Sequence, residues 1–439
     1  MKRVLIAILI SKLIFAETIL TVGGREQSQI DFMPTDDVED TLTLPQKDIS
    51  EFANQSEYMT RDEQLAYDAK YNEKFFEPWH IYSMGLSEGE KTWQFKFAKH
   101  KMYRRDGTPI PKSWFKKEIK NSNFKAYGTV NRPAVIIRHT DIKLYPTDKE
   151  FYYNINIVGE GFPFDYNQNS SIYINTPIFI SHYSKDKKWA YIKAPFAFGW
   201  VKLRDIAFVT DEFKERFETP RNGVATTDNL RLIHNGEDIS IVKLGTIFPM
   251  NRETNEFFVA LKGKNGYAYM DKVKPEDINL VVKKPIKFNK FNITFIGKQL
   301  LGEPYGWGGK LKTRDCSTLT RDFFAPFGIY LPRNSKQQAN SGNYLSLKGL
   351  SREEKEKMIL EYGKPCRSLL VLPGHVTIYL GQKNGEPIIM HNYWGVRLKD
   401  GSKKILGRSV VTTTKIGKEL PEVKEKSMLI NTFKGLVTF

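Results

Sequence analysis

The chain has 439 residues, with 67 Lys or Arg against 50 Asp or Glu, a formal charge of +17. Charged residues make up 27% and aromatics 13%, which fills several hydrophobic cores and excludes a wholly disordered protein. Two cysteines exclude a disulfide scaffold and a Cys-rich zinc module, while the basic excess suits an anionic partner without choosing among nucleic acid, membrane surface and cell-wall polymer.

Residues 1–16 read as an export signal: Lys2 and Arg3, an apolar stretch from Val4 to Phe15, then the small Ala16. From Glu17 to about Ser50 the chain is polar, acidic at 36–40 and without periodicity, so a flexible leader is expected. Tyr58 to Phe76 is rich in helix formers, and Pro78 ends that helix. Between about 126 and 283 short β-type runs take over. A strand, a polar turn and a Gly-aromatic strand recur at Trp189–Val201 and at Phe257–Tyr269, which predicts two small barrels in tandem. After Lys283 the texture is mixed: helices over Phe291–Leu301, Thr318–Phe324 and Ser351–Tyr362, then strands at Val376–Leu380 and Pro387–His391. The tail from about Lys415 is basic and patternless.

Cysteine-based catalysis needs a thiolate, a base to take its proton, a group orienting that base, and donors for an oxyanion. Cys316 follows Asp315, a natural cap, so it falls in a first helical turn. There the helix dipole and unpaired N–H groups are expected to lower its pKa from about 8.5. The polar flanks speak against a buried Cys316. His375 and His391 lie on two consecutive strand patterns, with Gly374 allowing close backbone approach and His391 turned towards His375. One Cys at a helix start followed by two strand-borne His has the order of papain-like Cys–His chemistry. A zinc site from the same three residues is the alternative, which no spacing favours.

Four segments then carry a resemblance: Tyr305-Gly306-Trp307-Gly308-Gly309, Asp315-Cys316-Ser317, the run Leu331–Gln338, and Gly374-His375-Val376-Thr377-Ile378-Tyr379-Leu380-Gly381. In this order they resemble the NlpC family of cell-wall cysteine peptidases. Phe76-Glu77-Pro78-Trp79 and Gly161-Phe162-Pro163-Phe164-Asp165-Tyr166 resemble the marks of a subgroup with a helical stabilising segment and two bacterial SH3-type domains. The resemblance implies an amide hydrolase cutting between γ-D-glutamate and a diamino acid, usually meso-diaminopimelate, in stem peptides, with a free N-terminal L-alanine favoured. It makes Cys316 the nucleophile, His375 the base and His391 the orienting residue. Tyr305, Trp307, Asp315, Ser317 and Ser335 match substrate-binding positions, and a residue near Asp165 or Tyr166 closes the pocket. Thr318 and Asn334 depart from the family's usual Gly and Asp, and Thr318 is expected to narrow the cleft.

The expected architecture is multidomain α+β. It comprises a signal over 1–16, a leader and helical segment over 17–125, SH3-like barrels over 126–210 and 211–285, a papain-like cysteine peptidase domain over 286–415, and a tail over 416–439. No cofactor or metal is implied, and both thiols, Cys366 being a small core residue, are expected free. The partner implied is peptidoglycan or released muropeptide, with no nucleic acid and no membrane span after signal removal, in a periplasmic or envelope location. A non-catalytic wall-binding protein and a Cys/His amidase or acyltransferase are the competing readings.

Overall fold

Two-residue alternation builds the C-terminal sheet. Along His375–Lys383, Val376, Ile378 and Leu380 face one side and Tyr379 the other; along Ser368–Leu372, Leu369 and Val371 oppose Leu370. Each side therefore needs its own cover. Helices Lys290–Leu300 and Cys316–Phe324 supply Ile293, Ile296, Leu319 and Phe323 to the first, and Arg352–Tyr362 supplies Ile359 to the second. Burying each such side chain contributes about 1.5–3 kcal/mol. The computed structural model describes residues 17–23, 35–157, 160–251 and 253–439; the expected signal, 1–16, lies outside them.

This sheet has six antiparallel strands, in the order Asn343–Ser346, Gly435–Thr438, Ser368–Leu372, His375–Lys383, Glu386–Arg397 and Lys403–Thr413. The second strand corrects the reading of a patternless tail. Gly435–Thr438 is short and buried on both faces, so it shows no alternation, yet its Leu436 and Val437 enter the two cores of the sheet.

The first β unit is one seven-stranded sheet running from Arg132–Ile136 to Ile206–Phe208. The second combines a five-stranded and a three-stranded sheet, and residues 222–283 supply all but one of their strands. The internal echo corresponds to two antiparallel hairpins, Trp189–Lys193 with Phe198–Lys202 and Phe257–Lys262 with Ala268–Pro275.

For residues 17–23 and 35–50 the flexible leader is overturned; residues 24–34 lie outside the described residues. Thr18–Thr21 is a strand inside the second unit, antiparallel to Leu230–His234 and parallel to Ala268–Pro275. The acidic stretch also has partners. Asp36 accepts from the Ile405 N–H, Asp37 pairs with Arg408, and Asp40 accepts from the Thr413 N–H and hydroxyl. These contacts lie about 370 residues apart in the chain, beyond the reach of local patterning. Helix Arg61–Phe76 starts on a Thr60 cap, and the short 3₁₀ turn Glu77–Trp79 follows it at Pro78. Its Tyr71, Phe75 and Phe76, with Trp79, pack against both β units.

Where the three units meet, Arg314 is fully buried. It donates to Asp322 (2.7 Å) on helix Cys316–Phe324, to Glu303 (3.0 Å), and to both oxygens of Asp228 (2.8 and 3.0 Å) in the second β unit. Lys243 donates to Asp228 and Glu303, and the Tyr173 hydroxyl of the first β unit donates to Asp322. Removing one partner from such a cluster leaves carboxylates buried without their cation. Arg314→Met should lower the unfolding free energy by about 3–5 kcal/mol in urea titration. A loss under about 1 kcal/mol would show that the junction does not depend on it.

Candidate active site

Asp315 caps helix Cys316–Phe324 by accepting from the Thr318 N–H at 2.9 Å. Cys316 is thereby the first residue of the helix, as expected, but it is 6% exposed and sits in the core beside Leu319 and Val376. The expectation of an unburied thiol fails because the sheet covers it. Its sulfur accepts from the Val376 and Ser317 backbone N–H groups, which favour the thiolate, but burial and the adjacent Asp315 carboxylate outweigh them. Together they push the thiol up to about 12, the opposite of the direction expected from the helix dipole alone. Local reasoning saw the dipole; the desolvation comes from residues 60 positions away.

His375 opens its strand directly before Val376, whose amide contacts the sulfur. His375 Nε2 lies 2.8 Å from His391 Nδ1, and His391 Nε2 lies 3.0 Å from Thr412 Oγ1. The proton positions follow from the end of this chain. The Thr412 hydroxyl donates to the Thr413 carbonyl at 2.9 Å, so its oxygen accepts from His391 Nε2–H. His391 Nδ1 is then the acceptor, His375 Nε2–H the donor, and the lone pair of His375 lies on Nδ1. Burial pushes His375 down to about 4, with Asp315 opposing, and drives His391 well below the ordinary range, the neighbouring His375 adding to it. Both rings rest neutral. Gly374 serves a turn with φ of 77°; a Cβ there would meet open space, so backbone approach is not its reason.

Asp315 is buried between partners. Arg333 reaches it with two nitrogens, at 2.5 and 3.2 Å, and Ser317 Oγ, Thr318 Oγ1 and the Gly308 N–H also donate to it. Burial opposes ionisation, yet Arg333 and these donors hold the carboxyl below its ordinary value. Thr318 is fully buried and turned to Asp315, so it does not narrow the cleft. Asn334 takes over a capping role, accepting from the Lys336 N–H at 2.9 Å at the head of Ser335–Gln338.

A cleft of about 930 Å³ opens over this constellation, lined by Cys316 together with Tyr305, Trp307, Asp315, Ser317 and Ser335. His375 and His391 are not among its lining residues, but Gly374, directly before His375, is. Of the two first-unit candidates, Tyr166 lines the cleft, while Asp165 is buried and accepts from Lys310 at 3.2 Å. Phe164 wedges between Tyr305, Trp307 and Trp394, with ring centroids 5.6, 5.4 and 4.9 Å away. The loop beneath needs its glycines: Gly308 and Gly309 have φ of 65° and 78°, and a side chain on either would strike Gln168 or Ser171.

Sequence reasoning missed Trp93 and Lys96 of the helical segment, the turn Phe196–Phe198 of the first β unit, and Arg333, although all line the cleft. Arg333 stood inside a quoted motif, and a buried Asp beside Cys316 demands a cation; the others carried no signal. Cys366 is a fully buried free thiol, and Cys316 is also unpaired. Among the described residues no group of three metal-ligating side chains is placed to hold an ion, and no helix is long and apolar enough to cross a membrane.

Residues 302–414, which span the cleft loop, Cys316, His375 and His391, match the model of the NlpC/P60 family. The C-terminal unit is an NlpC/P60 domain. Residues 13–127 match the N-terminal NLPC_P60 stabilising domain, and residues 150–202 match an SH3 domain of SH3b1 type. The chain is similar to the solved NlpC/P60 endopeptidase of Photobacterium damselae subsp. piscicida. The two share 24% identity over 92% of this chain and 98% of that one, with a TM-score of 0.78, a likeness of fold. An NlpC/P60 family protein of Bacillus cereus shares 15% identity over 70% of this chain and 99% of that one, with a TM-score of 0.43. No curated protein matches the chain.

A thiol pushed up to about 12 is neutral at rest, so labelling of Cys316 in this NlpC/P60 domain by iodoacetamide should be slow near neutrality. It should climb about tenfold per pH unit into the alkaline range. Rapid labelling that levels off below neutrality would show a resting thiolate instead.

Proposed function

We propose that the protein is a peptidoglycan stem-peptide endopeptidase that hydrolyses the amide between γ-D-glutamate and a diamino acid, meso-diaminopimelate, through Cys316. The observation that carries the reading is the directed chain Thr412–His391–His375, which leaves a lone pair on His375 Nδ1 next to the strand residue whose amide contacts the thiol.

Both reacting groups start neutral, so the proton moves as the sulfur attacks. The Cys316 sulfur bonds to the carbonyl carbon, its proton passes to His375 Nδ1, and the imidazolium is held by its Nε2–H bond to His391. The carbonyl oxygen, now negative, takes hydrogen bonds from the Cys316 backbone N–H and the Tyr305 hydroxyl. Tyr305 is suited to this role: burial, with the Cys316 and Asp315 charges adding, pushes its hydroxyl well above the ordinary range, so it stays a donor. His375 then gives its proton to the leaving amine, and a thioester remains on Cys316. Water attacks the thioester with His375 as base, releasing the γ-glutamyl acid and restoring the thiol.

Trp307, Ser317 and Ser335 line the cleft where the peptide would lie. A free N-terminal L-alanine would place its ammonium at the Asp315 end, walled by Tyr166 of the first β unit; Arg333 already neutralises Asp315 there, so the ammonium adds to an existing ion pair. A peptidoglycan substrate is consistent with an exported, envelope location.

The test is mass spectrometry of products from L-Ala-γ-D-Glu-diaminopimelate, for wild type and Cys316→Ala. Release of diaminopimelate by wild type alone is expected, with the N-acetylmuramyl peptide cut at least about tenfold more slowly. Equal cleavage by Cys316→Ala would remove the nucleophile; cleavage of neither peptide would favour a wall-binding protein without catalysis. The base must be neutral to act, and His375 is pushed down to about 4. Hence kcat/KM should hold as pH falls through 6.5 and drop only towards about 4. An acid limb at 6.5 would mean that the imidazole is solvated in the working enzyme.

A further inference from the structure

Consecutive residues of the loop between Tyr305 and Arg314 are each gripped by the first β unit. Trp307 packs between Phe164 and Tyr166, with ring centroids 5.4 and 5.8 Å away. The Gly308 carbonyl accepts from Gln168 Nε2 at 3.1 Å, and a Cβ on Gly308 would stand 2.6 Å from Gln168 Cγ. A Cβ on Gly309 would stand 2.2 Å from Ser171 Oγ. Lys310 pairs with Asp165 at 3.2 Å and with Glu150. All these partners fall within residues 150–202, the SH3b1-type region.

The grip is itself reinforced. Gln168 is buried, donates from Nε2 to Asp141 at 2.7 Å as well, and accepts from Lys143 Nζ at 2.5 Å. A lysine can only donate, so the amide is fixed with its oxygen on Lys143 and its nitrogen towards the loop. Asp165 is fully buried and takes the Phe151 and Asn167 N–H groups besides Lys310, with Lys143 at 3.9 Å. A buried polar network satisfied in this way rigidifies what it holds.

The loop needs that hold. Gly308, Gly309, Leu311 and Lys312 have φ of 65°, 78°, 60° and 57°, and side-chain-bearing residues such as Leu311 and Lys312 enter that region at a cost. Strained backbone of this kind persists only where its surroundings over-determine it. What the loop joins is the geometry of the site. At one end stands Tyr305, whose N–H is tied to the Gly407 carbonyl but whose ring meets Phe164 of the first unit at 5.6 Å. At the other end stand Asp315 and Cys316. In between, the Gly308 N–H donates at 3.1 Å to Asp315, the cap of the helix that Cys316 opens. One peptide group thus accepts from the first unit, and the next one back along the chain donates to the helix cap.

Resting on the proposed chemistry, in which Tyr305 donates to the oxyanion, we infer that Gln168 and Lys310 are positioning residues. They clamp the loop so that the Tyr305 hydroxyl and Cys316 keep the separation that the tetrahedral intermediate requires. The first β unit then sets the rate of the bond-breaking step through the loop.

Kinetics of the full-length chain on L-Ala-γ-D-Glu-diaminopimelate test this. Lys310→Met and Gln168→Leu should each lower kcat by about tenfold to a hundredfold, the scale of a small misplacement of reacting groups, with KM within about twofold. Lys310→Arg keeps the carboxylates engaged and should retain most of kcat. In a Tyr305→Phe background there is no hydroxyl to misplace, so Lys310→Met should cost less than about twofold more. Hydrogen exchange of the amides within 306–313 should quicken in both variants. Where Lys310→Met fails to fold, Lys310→Met with Asp165→Asn removes the buried charge along with its partner. An unchanged kcat overturns the inference, as do losses that multiply fully with Tyr305→Phe, or exchange that stays the same across the loop. If the wild type cuts no peptide, the endopeptidase reading fails. Quickened exchange would then leave the clamp standing, and unaltered exchange would remove both.

Discussion

One buried guanidinium sets the register of the whole active site. Arg314 precedes the Asp315-Cys316 pair, and its side chain is committed to Asp228, Glu303 and Asp322 before its backbone is considered. Its carbonyl accepts from Asn392 Nδ2 at 2.7 Å and from the Gly306 N–H at 2.8 Å. Asn392 follows His391, and Gly306 follows Tyr305. One residue therefore ties Cys316, His391 and Tyr305 to a common point. With Lys243 and Arg321, three cations face three carboxylates, so the cluster is balanced. Buried ion clusters add little net stability, because desolvation offsets the Coulomb gain. Here the geometry they enforce is the benefit: one cluster ties both β units to the helix that carries Cys316.

The first β unit is held to the NlpC/P60 domain by a second device of the same kind. Lys310, from the glycine loop, pairs with Glu150 and Asp165 of the SH3b1-type region, while Phe164 from that region enters the aromatic cluster of the loop. Charge goes one way across the interface and an aromatic ring the other. Tyr166, between Asp165 and the cleft, is consequently placed by contacts on both its sides. With Trp93 and Lys96 of the helical segment, the cleft is a shared product of three parts of the chain.

How much of this was legible follows from which interactions are local. That Cys316 opens a helix and that His375 and His391 face one another on adjacent strands was readable because each stands at a fixed offset within a helix start or an alternating strand. The hairpin echo was readable for the same reason. What escaped depended on residues far apart. Arg314 reads as an ordinary charge before a helix, since nothing in its neighbourhood announces Asp228. The acidic run at 36–40 has a disordered composition until the Lys403–Thr413 strand offers it backbone donors. Gly435–Thr438 is too short to show a period. The direction of the Cys316 shift was misjudged because the dipole of its own helix is visible in sequence, whereas the sheet that excludes water from it is not.

The position of Thr18–Thr21 has a consequence for how the molecule comes together. Its hydroxyl contacts span 216 and 253 residues, from Thr18 to His234 and to Asp271. Its two neighbouring strands do not pair with one another directly, since it lies between them. The second β unit therefore cannot finish from its own contiguous residues; it waits for a segment made long before it to return. Closing loops of that length carries a large entropic penalty that no partial contact repays, so such contacts form late and slowly. Asp36 and Asp40 do the same for the outer strand of the peptidase sheet. The first residues of the structure to be synthesised are thus among the last to find their places, and the chain can begin to assemble in its middle while two of its four sheets stay open at one seam.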